Sequence, residues 1–194
     1  MFRYEIINEL IKKHNYKSYL EIGTQFGNCF EQIAIDYKVC VDPEKRYEHL
    51  TYTMTSDDFF AQNKETFDII FVDGLHLEEQ STIDIYNSLN ILNPGGAIVV
   101  HDCLPHCEEF TKVCWNGTVF RSIIDLRCNN PNVSIHVVDS DNGCGVIKSG
   151  KQELYKIVPE SVAKTYWYFA NNKKELMNTI SVNEFKEKLK NGDL

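Results

Sequence analysis

The chain has no surplus of positive charge: 20 lysines and arginines face 28 aspartates and glutamates, a formal net charge of −8 over 194 residues. A partner held through a phosphate backbone needs a basic surface, so nucleic acid is not expected. No apolar run approaches the ~20 residues of a membrane span. The first residues, M-F-R-Y-E-I-I-N-E-L-I-K-K-H, are amphipathic and carry acids, unlike a secretory leader, so the chain reads as soluble and cytoplasmic, with no membrane partner. Cys103, His106 and Cys107 hint at zinc, but no C-x-x-C pair exists among the seven cysteines to complete a tetrahedral site, and buried, reduced thiols are the expectation. Repeats, low-complexity tracts and linkers are missing too. With 43% hydrophobic residues, the chain suits one globular domain over residues 1–194.

What is present centres on residues 18–27, S-Y-L-E-I-G-T-Q-F-G. A short buried strand enters a turn at Gly23, and Gly27 allows a helix to begin close to a ligand. The dinucleotide fingerprint G-x-G-x-x-G is not met, because only Gly23 and Gly27 are in place, after the acidic Glu21. An ordinary strand-to-helix turn that binds nothing is the competing reading. Around this turn the apolar periodicity predicts helices over residues 2–14 and 28–35 and strands over 37–41, 50–54 and 66–73. A helix over 77–92, stopped by N-P-G-G, and a strand over 97–100 follow. Beyond an irregular segment at 104–114 come a helix over 118–127, strands over 133–138 and 145–148 joined by a turn-rich loop, and a last helix over 182–189. The alternation predicts an α/β, Rossmann-like seven-stranded sheet, mostly parallel with a terminal antiparallel hairpin and helices on both faces.

In such a sheet the carboxyl ends of neighbouring strands line the ligand crevice, so Asp73 and His76 should approach His101 and Asp102. Carboxylates and imidazole together suit magnesium or manganese. Taken singly, each of these residues reads as an ordinary turn or surface group. The tail holds an aromatic cluster, Tyr155, Tyr166, Trp167, Tyr168 and Phe169, which suits core packing, a homodimer seam or a substrate cover.

The E-x-G-x-x-x-G turn resembles motif I of the class I S-adenosylmethionine-dependent methyltransferases. The span F-D-I-I-F-V-D-G-L-H through N-P-G-G-A-I-V-V-H-D-C-L-P resembles a small branch of that class associated with polysaccharide and sugar modification. The resemblance covers residues 15–148 and leaves 149–194 as a C-terminal extension. It implies S-adenosylmethionine as cofactor, held by Glu21, Gly23, Thr24, Gly27, Asp42, Ser56, Asp57 and Asp73, with Asp42 on the ribose hydroxyls. More distantly, the chain is similar to metal-dependent sugar O-methyltransferases, which implies His76 as general base and a metal on Asp73, His101 and Asp102. His101 stands where those enzymes carry an acid. The expected activity is O-methylation of a sugar, polysaccharide precursor or other small hydroxyl compound. The alternatives are a metal-dependent hydroxylase and a nucleotide-binding protein without catalysis.

Overall fold

The computed structural model describes residues 1–194. Its centre is made by strands rich in buried β-branched and aromatic residues: β1 (Ser18–Ile22), β2 (Tyr37–Asp42), β4 (Phe67–Val72) and β5 (Leu92–Val100). Strands buried on both faces favour parallel pairing with helices above and below. The sheet has eight strands in the order β3-β2-β1-β4-β5-β7-β6-β8, where β3 is Tyr52–Thr53, β6 Val133–Val138, β7 Cys144–Ser149 and β8 Thr179–Ile180. Only β7 runs antiparallel to its neighbours, so the expected terminal hairpin is present. The eighth strand, parallel to β6, is added by the tail.

Alternate residues of each strand feed two apolar layers. Tyr19, Ile69, Phe71 and Val99 face Ile6, Ile7 and Leu10 of α1 (Arg3–His14) and Phe185 of α7 (Val182–Asn191). Leu20, Ile70 and Ile98 face the other layer, with Ile85 of α3 (Glu78–Asn90), Phe120 of α4 (Val119–Asn129) and Phe169 of α6 (Tyr166–Leu176). The remaining helices are α2 (Ser56–Gln62) and the single turn α5 (Glu160–Ala163).

Two expectations are corrected. The helix predicted over 28–35 is a single 3-10 turn, Phe30–Gln32. Side chains from neighbouring elements take up its backbone groups: Asn8 donates to the Gln32 carbonyl at 2.8 Å and accepts from the Ala34 amide at 2.9 Å, while Lys38 Nζ donates to the Phe30 carbonyl at 2.8 Å. Partners supplied from outside replace the i→i−4 ladder that a helix would need. The strand predicted over 50–54 is reduced to its central pair, Tyr52–Thr53.

Candidate functional site

The carboxyl ends of β1, β2, β4 and β5 open into a cavity of about 900 Å³. Its first half is lined by Gly23, Gln25, Asp42 and the segment Thr55–Asp57, its second by Asp73, His76, His101, Asp102, Trp115 and Asn116. Gly23 is required by close approach. Its φ is +87°, and a Cβ there would lie 2.0 Å from the Asp73 carbonyl oxygen. The ends of β1 and β4 therefore meet only because residue 23 has no side chain.

Of the residues expected to hold the cofactor, Gly23, Asp42, Ser56, Asp57 and Asp73 line this cavity, whereas Glu21, Thr24 and Gly27 do not. Glu21 lies inside the sheet and accepts from the Tyr19 hydroxyl; burial pushes its carboxyl up to about 8, with Asp73 adding to the rise. Thr24 is buried with its hydroxyl unpartnered, and Gly27 is packed against the Tyr47 ring. Asp42 accepts the Gln25 amide and the Glu44 amide, each at 2.8 Å, so it clamps the glycine turn and still offers a second lone pair on each oxygen. Gln80 Nε2 bonds both Ser56 Oγ and Asp57 Oδ1, at 3.2 and 3.0 Å, while capping of α2 falls to Thr55.

At the other end His76 Nδ1 is bonded to the Trp115 carbonyl, an acceptor, so Nδ1 carries a proton and Nε2 is the nitrogen turned toward the carboxylates. That Nε2 stands 3.4 Å from Asp73 Oδ1 and 3.3 Å from Asp102 Oδ2. Burial lowers the affinity of the His76 ring for a proton, but the two carboxylates outweigh it and the net shift is upward. His101 Nδ1 lies 3.2 Å from Asp73 Oδ1 and 3.4 Å from Asp102 Oδ1, and its Nε2 donates to the Asp141 carbonyl at 2.8 Å. Burial opposes charging this ring too, yet the charge of Asp73 and bonds to Asp102 and Asp141 shift it well above the ordinary value, and Arg3 Nη1 lies 3.1 Å from its Nε2. Asp73 moves the other way: burial favours its neutral form, but His101, His76 and Arg3 hold it well below the carboxylate range.

The pattern in the sequence missed Arg3, Asp141 and Trp115. Arg3 reaches in from α1, with Nε 3.9 Å from Asp73 Oδ2 and Nη1 3.1 Å from Asp141 Oδ2. Its amphipathic helix was legible, but nothing in spacing says that a residue at its start meets one 138 positions later. Trp115 lies in the irregular segment expected over this face, which Gly117 and Thr118 fasten down. The Thr118 amide donates to the His76 carbonyl at 3.0 Å, and its hydroxyl accepts the Glu78 amide at 2.7 Å.

The expected metal site can be tested on this geometry. Asp73, His76 and Asp102 bring donor atoms within 4.8 Å of one another, a spacing that alone suits an ion. Their partners argue against it. Asp73 Oδ1 already faces both imidazoles and its Oδ2 faces Arg3, while the Asp102 oxygens face His101 and His76. His101, expected as a ligand, has both nitrogens committed. A hard divalent cation that needs several free oxygen donors does not fit this set.

A mostly parallel sheet with β7 inserted antiparallel between β5 and β6, and a glycine turn at the end of β1 opening into the cavity, is the fold of the class I S-adenosylmethionine-dependent methyltransferases. Residues 20–103 match the family model described as a methyltransferase domain, which agrees with that fold. No curated protein matches the sequence. Among solved structures, the O-methyltransferase TomG from Streptomyces achromogenes, in complex with SAM, is 14% identical with a TM-score of 0.59, covering 76% of this chain and 79% of that one. The SAH-bound methyltransferase PaMTH1 from Podospora anserina is 15% identical with a TM-score of 0.58, covering 77% and 78%. An O-methyltransferase from Bacillus cereus in complex with SAH is 16% identical with a TM-score of 0.52, covering 77% and 80%. At these identities the likeness is one of fold.

Proposed function

We propose that the protein transfers the methyl group of S-adenosylmethionine to a hydroxyl of a sugar or other small polar molecule, with His76 as general base. The observation that carries this reading is the tautomer lock on His76, a residue that lines the cavity: with Nδ1–H given to the Trp115 carbonyl, the basic lone pair of the neutral ring lies on Nε2. When bound, S-adenosylmethionine supplies an electrophilic methyl on a positively charged sulfur. Gly23, Asp42, Ser56 and Asp57 line the half of the cavity assigned to it, Asp42 being placed to accept from ribose hydroxyls. His76 Nε2 takes the acceptor's proton, and Asp73 and Asp102 stabilise the imidazolium that forms. Alignment in the cavity contributes more than the base, because orientation is worth about 7–11 kcal/mol and a placed base about 10²–10⁴-fold. The tail belongs to the same domain in this reading, since β8 extends the sheet and α7 completes a core layer.

The test is thermal unfolding with S-adenosylhomocysteine, followed by the same measurement on His76→Ala. Ligand at 100 times its Kd adds about 2.7 kcal/mol and raises the midpoint by roughly 5–10 °C for a chain of this size. The variant should keep that shift while its turnover falls about 10²–10⁴-fold. No shift at saturating ligand overturns the cofactor assignment; an equal loss of binding and turnover in the variant makes His76 structural.

A further inference from the structure

We infer that Arg3 and His101 together fill the space between Asp73, Asp102 and Asp141 that a divalent cation would need, so that this pocket does not bind magnesium or manganese. His101 Nδ1 sits between Asp73 and Asp102, 3.2 and 3.4 Å from one oxygen of each, on the inward lone pairs that an ion would need. The ring has no room to leave. Its far nitrogen is bonded to the Asp141 carbonyl at 2.8 Å, its edge packs near Phe71 with ring centres 6.2 Å apart, and the side chain is 5% exposed. Arg3 is fixed in the same way, because its own amide donates to Asp141 Oδ2 at 2.8 Å while its guanidinium reaches that carboxylate and Asp73.

The carboxylate oxygens are taken: Asp73 faces Arg3 and His101, Asp102 faces His101 and His76, and Asp141 faces Arg3. Removing Arg3 or His101 would free carboxylate oxygens that these side chains now face, which is what a hard divalent ion needs. Arg3 is thus a positioning residue. It holds Asp73 and Asp141 where they orient His101 and His76, and it ties the leading helix to the transfer site. The inference rests on the proposed reading of this pocket, but metal affinity is measured separately from it.

The experiment is calorimetric titration of the chelator-treated full chain with MgCl₂ and with MnCl₂, with S-adenosylhomocysteine binding measured on the same sample. The wild-type chain should give no saturable metal binding. The Arg3→Gln/His101→Asp double variant, which adds an acid and removes both side chains that face the carboxylates, should bind Mn²⁺ at least about tenfold more tightly than wild type. Arg3→Gln alone should move in the same direction and serves where circular dichroism shows the double variant unfolded. One Mn²⁺ per wild-type chain, lost in Asp102→Asn, overturns the inference. Loss of S-adenosylhomocysteine binding without any metal binding instead overturns the methyltransferase reading and leaves the exclusion of metal standing.

Discussion

Glu21 shows how one residue can be read correctly as part of a motif and still hold an unexpected place. Its position beside the glycine turn suggested a cofactor contact, yet the strand alternation that buries Tyr19 and Leu20 leaves it inside the sheet at 1% exposure. Its carboxyl is raised from 4.5 to about 8, so the folded state holds a proton that the unfolded chain has already released across that interval. The native state binding more protons means that stability falls as pH rises from about 4.5 to about 8, and is level above that. Glu21→Gln keeps the shape without the titration. It should flatten that falling limb and raise stability at pH 8 by about 1–3 kcal/mol in denaturant unfolding at several pH values. An unchanged slope between pH 5 and 8 would show that Glu21 ionises without cost, against its burial.

At the scale of elements, the segment over residues 107–117 is the part most directly joined to the chemistry. Gly117 has φ +61°, and a Cβ there would lie 1.8 Å from the His76 carbonyl oxygen. Gly117→Ala must therefore push the segment off the loop that carries His76 and loosen the Trp115 carbonyl from Nδ1. The expected result is a turnover loss of at least about tenfold with the sheet's circular dichroism intact and stability lowered by about 1–3 kcal/mol. Full turnover in that variant would mean that the Trp115 carbonyl does not set the tautomer of His76.

The same scale shows what the sequence made legible. Strands β1, β2, β4 and β5 were readable because runs such as F-D-I-I-F-V are apolar on both faces, and the convergence of Asp73, His76, His101 and Asp102 followed from parallel topology alone. The helix expected at 28–35 failed because Asn8, distant in sequence, and Lys38, from the strand that follows, satisfy its backbone. Strand β8 has two residues and no periodicity to detect. The roles of Arg3 and Asp141 depend on contacts across the whole chain, which no local pattern encodes.

For the whole molecule, seven free cysteines report how tightly the tail and the two layers close the structure. Five are buried and two, Cys107 and Cys114, are exposed. Burial pushes the thiols of Cys29, Cys40, Cys103, Cys128 and Cys144 up, so these five are protected twice, by access and by the scarcity of thiolate. A thiol reagent at neutral pH should thus modify two groups quickly and five only on unfolding. Cys114 also lines the cavity beside Trp115, whereas Cys107 does not. Saturating S-adenosylhomocysteine should slow one of the two fast reactions by about tenfold if ligand binding brings the 107–117 segment down, and peptide mapping should assign the slowed site to Cys114. More than two fast thiols without ligand would mean that the tail opens readily from the sheet. Ligand binding with both rates unchanged would place the cofactor clear of this segment and leave the segment facing the acceptor alone.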